Sequence, residues 1–374
     1  MIEVAPYTTE LGKQLRARIK SEGPITFREW MRTALYDEAE GYYRRPHEIW
    51  GRDGDYRTSP ERSDLFAATF ARYFARLYQE LGNPQTFSII EIGGGAGQFA
   101  FGVLQTLDTY FPQVFAATRY VFEEISEPAQ RAARQRLLPF IERMKFGSLD
   151  DLDIEPAIIF SNELLDAFPV HRVTVVDGTL HEYYVTLDSN EQFAWLIGPP
   201  SISELAAHLN QNDIPVREGQ IVEVNLAMEA WLAKAAARLK HGYLITVDYG
   251  AEANDLYGSD ECEQGTLRSF RKHAFVDDLL ASPGESDLTS TINWTAIRAA
   301  GEKLGLEAVA FARQDKFLLE AGLLDQLAVQ SENAGEGERM RLSTAAREMI
   351  LPNGMAASFQ VLVQKKHDAG LRNH

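Results

Sequence analysis

Apolar positions between Asp64 and Leu81 recur at helical spacing, at Leu65, Phe66, Phe70, Phe74 and Leu77. The pattern then contracts into one continuous run, Phe87–Ile92, which breaks at Gly93–Gly97 and resumes its helical period through Leu107. A run, a break and a renewed period predict a buried strand, a tight turn and a helix. The rhythm repeats downstream, where Tyr120–Phe122 predicts a strand, Glu127–Leu138 a helix and Ala157–Phe160 a second buried strand. Strands without polar alternation, separated by amphipathic helices, imply an α/β fold with a doubly wound parallel sheet.

Upstream, residues 1–63 read as a helical and loop extension. Thr26 with Glu29 has the spacing of a capping box and opens a short helix through Trp30, Met31 and Leu35. The stretch from Gly41 to Ser63 mixes aromatics, charges and glycines without period, as functional loops do. Residues 64–169 form the first half of the sheet domain. From Val170 the pattern turns to β-rich segments with turn residues at Asp177-Gly178 and Ser189-Asn190, predicting an insertion of antiparallel hairpins over 170–220. Residues 221–374 supply the second half, with a helix over Val224–Leu239, a strand at Gly242–Gly250, an irregular stretch over 251–300 and a last strand at Phe359–Val363. The polar segment Ser331–Glu338 reads as a mobile loop. The insertion and the N-terminal helix are the segments expected to form an acceptor lid or the contact of a homodimer.

Composition narrows the function. The 374 residues are 45% hydrophobic and 24% charged, with a net charge of −17, which argues against a nucleic-acid surface because phosphate binding is driven by Lys and Arg. The single cysteine, Cys262, excludes an intrachain disulfide and a four-cysteine zinc site. No window approaches the roughly 20 apolar residues that span a bilayer. The N-terminus carries acids and lacks an apolar core, so a cytoplasmic protein without membrane contact is expected. No ligand spacing for a metal appears. His171 and His273 stand beside strands and are expected to be structural.

The stretch Ile89-Ile90-Glu91-Ile92-Gly93-Gly94-Gly95-Ala96-Gly97 carries the most chemistry. Glycines between strand and helix remove the Cβ atoms that would keep a ligand off the backbone, and the helix start offers amide donors. Gln98 stands where a dinucleotide fingerprint needs a small residue, whereas acid-x-Gly-x-Gly-x-Gly, with Glu91, Gly93, Gly95 and Gly97, is the methyltransferase form. Strand Tyr120–Phe122 ends in Glu123-Glu124, where a carboxylate can accept from both hydroxyls of a ribose. Glu124 is the chosen residue and Glu123 the fallback. Ser148 and Leu149 fall at the end of the third strand, either beside the adenine or in a local helix cap. Beyond the fourth strand, Asn162 and Glu163 are placed to meet the cofactor or the acceptor, with Asp166 a step further. The alternative is that Asn162 caps a short helix and Glu163 steadies its positive end.

The chain resembles the MidA-type methyltransferases, whose mitochondrial members assist assembly of respiratory complex I. The likeness runs through Ile25-Thr26-Phe27, Gly41-Tyr42-Tyr43, Gly54-Asp55-Tyr56, Thr58-Ser59-Pro60-Glu61, Glu91–Gly97 and Glu124-Ile125-Ser126. Ser161–Val170 is the most specific match, followed by Asp248-Tyr249-Gly250, Gly265–Arg268, Lys272-His273 and Asp287-Leu288-Thr289. It implies a seven-stranded class I fold, S-adenosyl-L-methionine (SAM) as methyl donor with S-adenosyl-L-homocysteine as product, and a Gly54–Glu61 loop lying over the cofactor with Thr58 and Ser59 in contact. For the mitochondrial members it implies methylation of a protein arginine. Ser290–Asn293, Gly354 ahead of Met355, and Gln360 depart from the family pattern, all in the acceptor half. A small-molecule acceptor, or a non-catalytic SAM-binding assembly factor, are the alternatives.

Methyl transfer from a sulfonium is an in-line displacement, so alignment is the main demand on the protein. An arginine acceptor stays protonated, with a pKa above about 12, and needs carboxylates to orient it and take a proton. Glu163 and Asp166 are the candidates for this task, with Asp55 third.

Overall fold

The computed structural model describes residues 9–45, 64–151, 156–271, 274–332, 334–351 and 358–368. The chain divides into two compact units, each gathered from three stretches. One takes residues 1–47, 165–231 and 251–297; the other takes 48–164, 232–250 and 298–374.

The second unit is built on a seven-strand path. Its strands, numbered within this unit, are β1 (Phe87–Ile92), β2 (Thr118–Glu123), β3 (Met144–Phe146), β4 (Ala157–Asn162), β5 (Gly242–Ala251), β6 (Leu306–Arg313) and β7 (Phe359–Lys366). They lie in the order β6-β7-β5-β4-β1-β2-β3. Pairs among β1 to β5 are parallel, while β7 runs antiparallel to both β5 and β6. All six residues of β1 are buried, which is why the sequence there shows no alternation: helices cover both faces. Helix α1 (Asp64–Glu80) brings Phe66, Phe70 and Phe74 into the core, and α2 (Gln98–Tyr110) brings Phe99. The ring of Phe99 stacks on that of Phe160 with centroids 4.2 Å apart. Each such fully buried ring contributes about 1.5–3 kcal/mol. Strand order reverses between β1 and β4, and open sheets bind ligands beyond the carboxyl ends at such a reversal.

The first unit holds the hairpins foreseen after Val170. His171–Val176, Thr179–Leu187 and Phe193–Gly198 pair antiparallel in succession. Asp177 (φ 51°) and Gly178 (φ 72°) make the first turn, both left-handed as a two-residue hairpin loop with strand-matching twist requires. Ile25–Thr26 and Val222–Val224 join the same sheet. Thr26 caps the helix Phe27–Tyr36 by accepting from the Glu29 amide at 3.2 Å.

Two expectations are corrected. The stretch 251–300 is not irregular: Arg268–Arg271, Ala274–Phe275 and Asp287–Thr289 form a small antiparallel sheet, and helices occupy Ala253–Gly258 and Trp294–Lys303. Strands of two to four residues are too short to show a period. Most of Ser331–Glu338 is helical, because helix Leu323–Glu332 runs into it and Glu336–Ile350 begins inside it. Polar composition there reflects exposure of helix ends.

Candidate active site

The glycine run bends β1 into α2. Gly93, Gly95 and Gly97 have φ of 73°, 56° and 77°, in the left-handed region where a side chain is strained. Gly94 is required for a different reason: a Cβ there would lie 2.2 Å from the ring of Phe122 on β2. Gly97 stands at the N-cap of α2, offers no capping side chain, and no acid occupies the first turn. The leading amides of α2 therefore face outward with the positive end of the helix dipole, a seat for a carboxylate. The guanidinium of Arg136 donates to the carbonyl of Ala96 and holds the loop from the side.

Glu124 closes over this loop. Its Oε2 accepts the amide of Gly95 at 2.8 Å, and its Oε1 accepts the amide of Ser126 at 2.7 Å. A carboxylate has about four acceptor positions, so one group can take several donors at once. Glu123, the fallback, points elsewhere and accepts the amide of Leu149. Burial raises the Glu123 carboxyl while that amide lowers it. Leu149 is buried, and the Ser148 hydroxyl accepts the Asp150 amide at 3.2 Å, so the local cap foreseen as an alternative is present in a short 3-10 turn. Asp150 is held by Lys234 at 2.7 Å and Arg238 at 3.0 Å, which lower its pKa.

Glu91, expected at the cofactor, points into the core beneath the loop. It is 4% exposed, and Tyr120 donates to its Oε2 at 2.7 Å. Burial pushes this carboxyl up to about 8, against the pull of the Tyr120 hydrogen bond and with a further push from Glu124. The alternation of β1 explains it: Ile89 and Glu91 share the face that packs on α1 and α2.

At the end of β4 no helix follows Asn162, which removes the capping alternative; a turn closes instead with the Phe168 amide on the Leu165 carbonyl. Glu163 has φ 51°, a left-handed conformation costing a side-chain residue about 1–3 kcal/mol. Its amide is fixed on the Val247 carbonyl at 2.9 Å. Its carboxylate accepts from Asn162 Nδ2 at 3.0 Å and from the Tyr249 hydroxyl at 3.4 Å. Tyr249 lies at the end of β5 and packs against Phe359 with centroids 3.9 Å apart. Sequence reasoning noted Tyr249 only within Asp248-Tyr249-Gly250 and gave it no task.

The boundary between the units falls after Leu164, so Glu163 and Asp166 belong to different units. Asp166 is 3% exposed, and its carbonyl accepts the Ser290 amide at 2.8 Å. Burial raises the nearby Tyr43 phenol, with smaller pushes from Asp287, to which it donates at 2.8 Å, and from Asp166. Asp55, Thr58, Ser59 and His273 lie outside the described residues. His171 is paired with Glu182 at 2.7 Å inside the first unit. The departure at Ser290–Asn293 has a local role: Asn293 Oδ1 accepts the Ala296 amide at 3.0 Å and caps the helix that follows. Among the described residues no three metal-binding side chains converge, and no helix is long and apolar enough to cross a membrane.

A strand-to-helix loop stripped of side chains, uncapped helix amides and a carboxylate at the end of the neighbouring strand fit a nucleoside that carries an amino-acid tail. Comparison with known proteins agrees. The chain is 29% identical to a COG1565 superfamily protein from Burkholderia thailandensis, solved bound to S-adenosyl-homocysteine; the TM-score is 0.86, covering 97% of this chain and 94% of that one. The seven-strand order is that of the class I methyltransferase fold. Among curated proteins, it is 28% identical to the mitochondrial protein arginine methyltransferase NDUFAF7 homolog of Drosophila melanogaster, over 79% of this chain and 70% of the relative. It is 25% identical to mitochondrial NDUFAF7 of Rattus norvegicus, over 96% and 85%. These relatives overturn the expected cytoplasmic location, since both are mitochondrial proteins and the N-terminal reading rested on a missing signal alone. Residues 69–312 match the family described as S-adenosyl-L-methionine-dependent methyltransferases, spanning the glycine loop, Glu124 and Glu163 alike, and the chain belongs to that family.

Proposed function

We propose that this SAM-dependent methyltransferase modifies an arginine side chain of a protein partner, with Glu163 receiving the guanidinium. The observation that carries the reading is Glu163 itself: a carboxylate at the end of β4, held in a left-handed conformation that only a local requirement would maintain. The names of the curated relatives, protein arginine methyltransferases, support the acceptor class.

When bound, SAM supplies a methyl group on a sulfonium, an electrophile that needs no activation by the protein. The residues then divide the remaining work. Gly93, Gly95 and Gly97 with the leading amides of α2 receive the amino-acid carboxylate, and Glu124 takes the ribose hydroxyls. Ser148 and Leu149 border the base, and Asn162 the methionine portion. Glu163 orients a cationic guanidinium through two parallel hydrogen bonds, localises its charge on one nitrogen and accepts a proton as the new N–C bond forms and the methyl–sulfur bond breaks, its electron pair leaving on the sulfur of S-adenosyl-L-homocysteine. Asp166 and Asp55 are further carboxylates proposed for the acceptor, and Thr58 and Ser59 for the cofactor. A protein partner, not a nucleic acid, matches a chain of net charge −17.

Incubation of the purified protein with tritiated SAM and a cell lysate tests the reading. Label in a protein band that yields methylarginine on acid hydrolysis supports it. Label confined to small molecules, or none above a Gly95→Val control, overturns it.

A further inference from the structure

We infer that Tyr249 is a positioning residue that sets the rotamer of Glu163 for methyl transfer. The inference deepens the reading above and rests on the role proposed there for Glu163.

Glu163 has a backbone fixed in an unusual place but a side chain with three rotatable bonds, and a catalytic carboxylate needs its oxygens defined to a fraction of an ångström. Two neighbours define them. Asn162 Nδ2 takes Oε1 at 3.0 Å, and the Tyr249 hydroxyl takes Oε2 at 3.4 Å. The two donors approach different oxygens, so together they fix the plane of the carboxylate, which neither does alone. The Tyr249 contact is long for O–H···O, as contacts at catalytic groups often are before substrate arrives and tightens them.

Tyr249 is itself rigidly mounted. It ends the register of β5 against β7, opposite Phe359, and the two rings pack at 3.9 Å. Phe359 is buried, and the Tyr249 amide is tied to the carboxylate of Asp248, which is fully buried. A phenol on such a mount reaches Glu163 without spending the entropy that a lysine or arginine would. The two residues come from strands far apart in sequence, but their strands are parallel neighbours: Val247 pairs with Asn162, which places the ends of β4 and β5 side by side.

Three variants test this: Tyr249→Phe, Glu163→Gln and the double variant. Each is assayed by incorporation of label from tritiated SAM into the protein fraction of a lysate at saturating SAM, with SAM affinity measured separately by calorimetry. Tyr249→Phe keeps the ring against Phe359, and unchanged thermal melting confirms an intact fold. The expected result is a loss of about tenfold or more in rate, as for one hydrogen bond to a charged group, with SAM affinity unaltered. In the Glu163→Gln background the same change costs nothing more, because the group through which it acts is gone. An unchanged rate in Tyr249→Phe, or a loss that multiplies with that of Glu163→Gln, overturns the inference and leaves the role of Glu163 intact. A Glu163→Gln protein as fast as the parent overturns the underlying reading instead.

Discussion

The carboxylate of Glu124 accepts the amide of Gly95 at 2.8 Å, so the residue proposed for the ribose also braces the glycine loop. Cofactor affinity and loop order are thereby joined in one side chain. Glu124→Gln puts a donor in place of one acceptor oxygen of a carboxylate that takes the amides of Gly95 and Ser126. SAM affinity is expected to fall at least tenfold, equivalent to one hydrogen bond with a charged partner at about 1.5–3 kcal/mol. Isothermal calorimetry measures it. A variant that binds as the parent does removes Glu124 from the ribose and returns Glu123 to consideration.

Gly94→Ala places a methyl group 2.2 Å from a carbon of Phe122, which is buried on β2 and cannot retreat without cost. Overpacking of this kind destabilises by about 1–3 kcal/mol. Urea denaturation is expected to show that loss, and Phe122→Leu in the same chain to recover part of it. Equal stability of Gly94→Ala and parent refutes the close approach.

The Glu91–Tyr120 pair predicts a pH dependence. Folding raises the Glu91 carboxyl from 4.5 to about 8, so the folded state binds the proton more tightly than the unfolded chain. The stability this contributes is complete below the unfolded value and is lost as pH climbs through the folded one, so it declines across roughly pH 5 to 8. Glu91→Gln keeps a neutral, hydrogen-bonding group of the same shape and is expected to flatten that decline in denaturation midpoints taken from pH 5 to 9. A slope identical to the parent's assigns it to other groups.

His171 belongs to the scaffold. Replacing it by Phe leaves the buried Glu182 carboxylate without its Nδ1 partner and is expected to destabilise the first unit by about 1–3 kcal/mol. Burial raises Glu182, but His171 and Ser201 outweigh this and hold it below the usual carboxylate range. A melting temperature unchanged by His171→Phe refutes the assignment.

Much of the sheet was legible because its strands are buried on both faces and separated by strongly periodic helices. Phe87–Ile92, Ala157–Phe160 and the helix from Asp64 sit within a residue or two of the expected places. The loop was legible because glycine is dictated locally, by φ and by approach. Pairings distant in sequence were not. Nothing near Ile25–Thr26 announces its union with Tyr184 and Val185, and nothing near Tyr249 announces Glu163. Glu91 shows the same limit in another form. A motif states that an acid stands before the glycines, but only the strand's alternation and the partner on β2 decide that it faces inward.

The position of β7 carries a lesson for anyone shortening this polypeptide. It is later in sequence than β5 and β6, yet it lies between them and, among the described residues, is the only strand that pairs with β6. Removing residues from Phe359 onward would strip β6 of its neighbour and bare the outer margin of β5. Two rows of unsatisfied amides and carbonyls would then stand ready to recruit strands from other molecules. A trimmed variant is therefore expected to be lost to precipitation before its chemistry can be assayed.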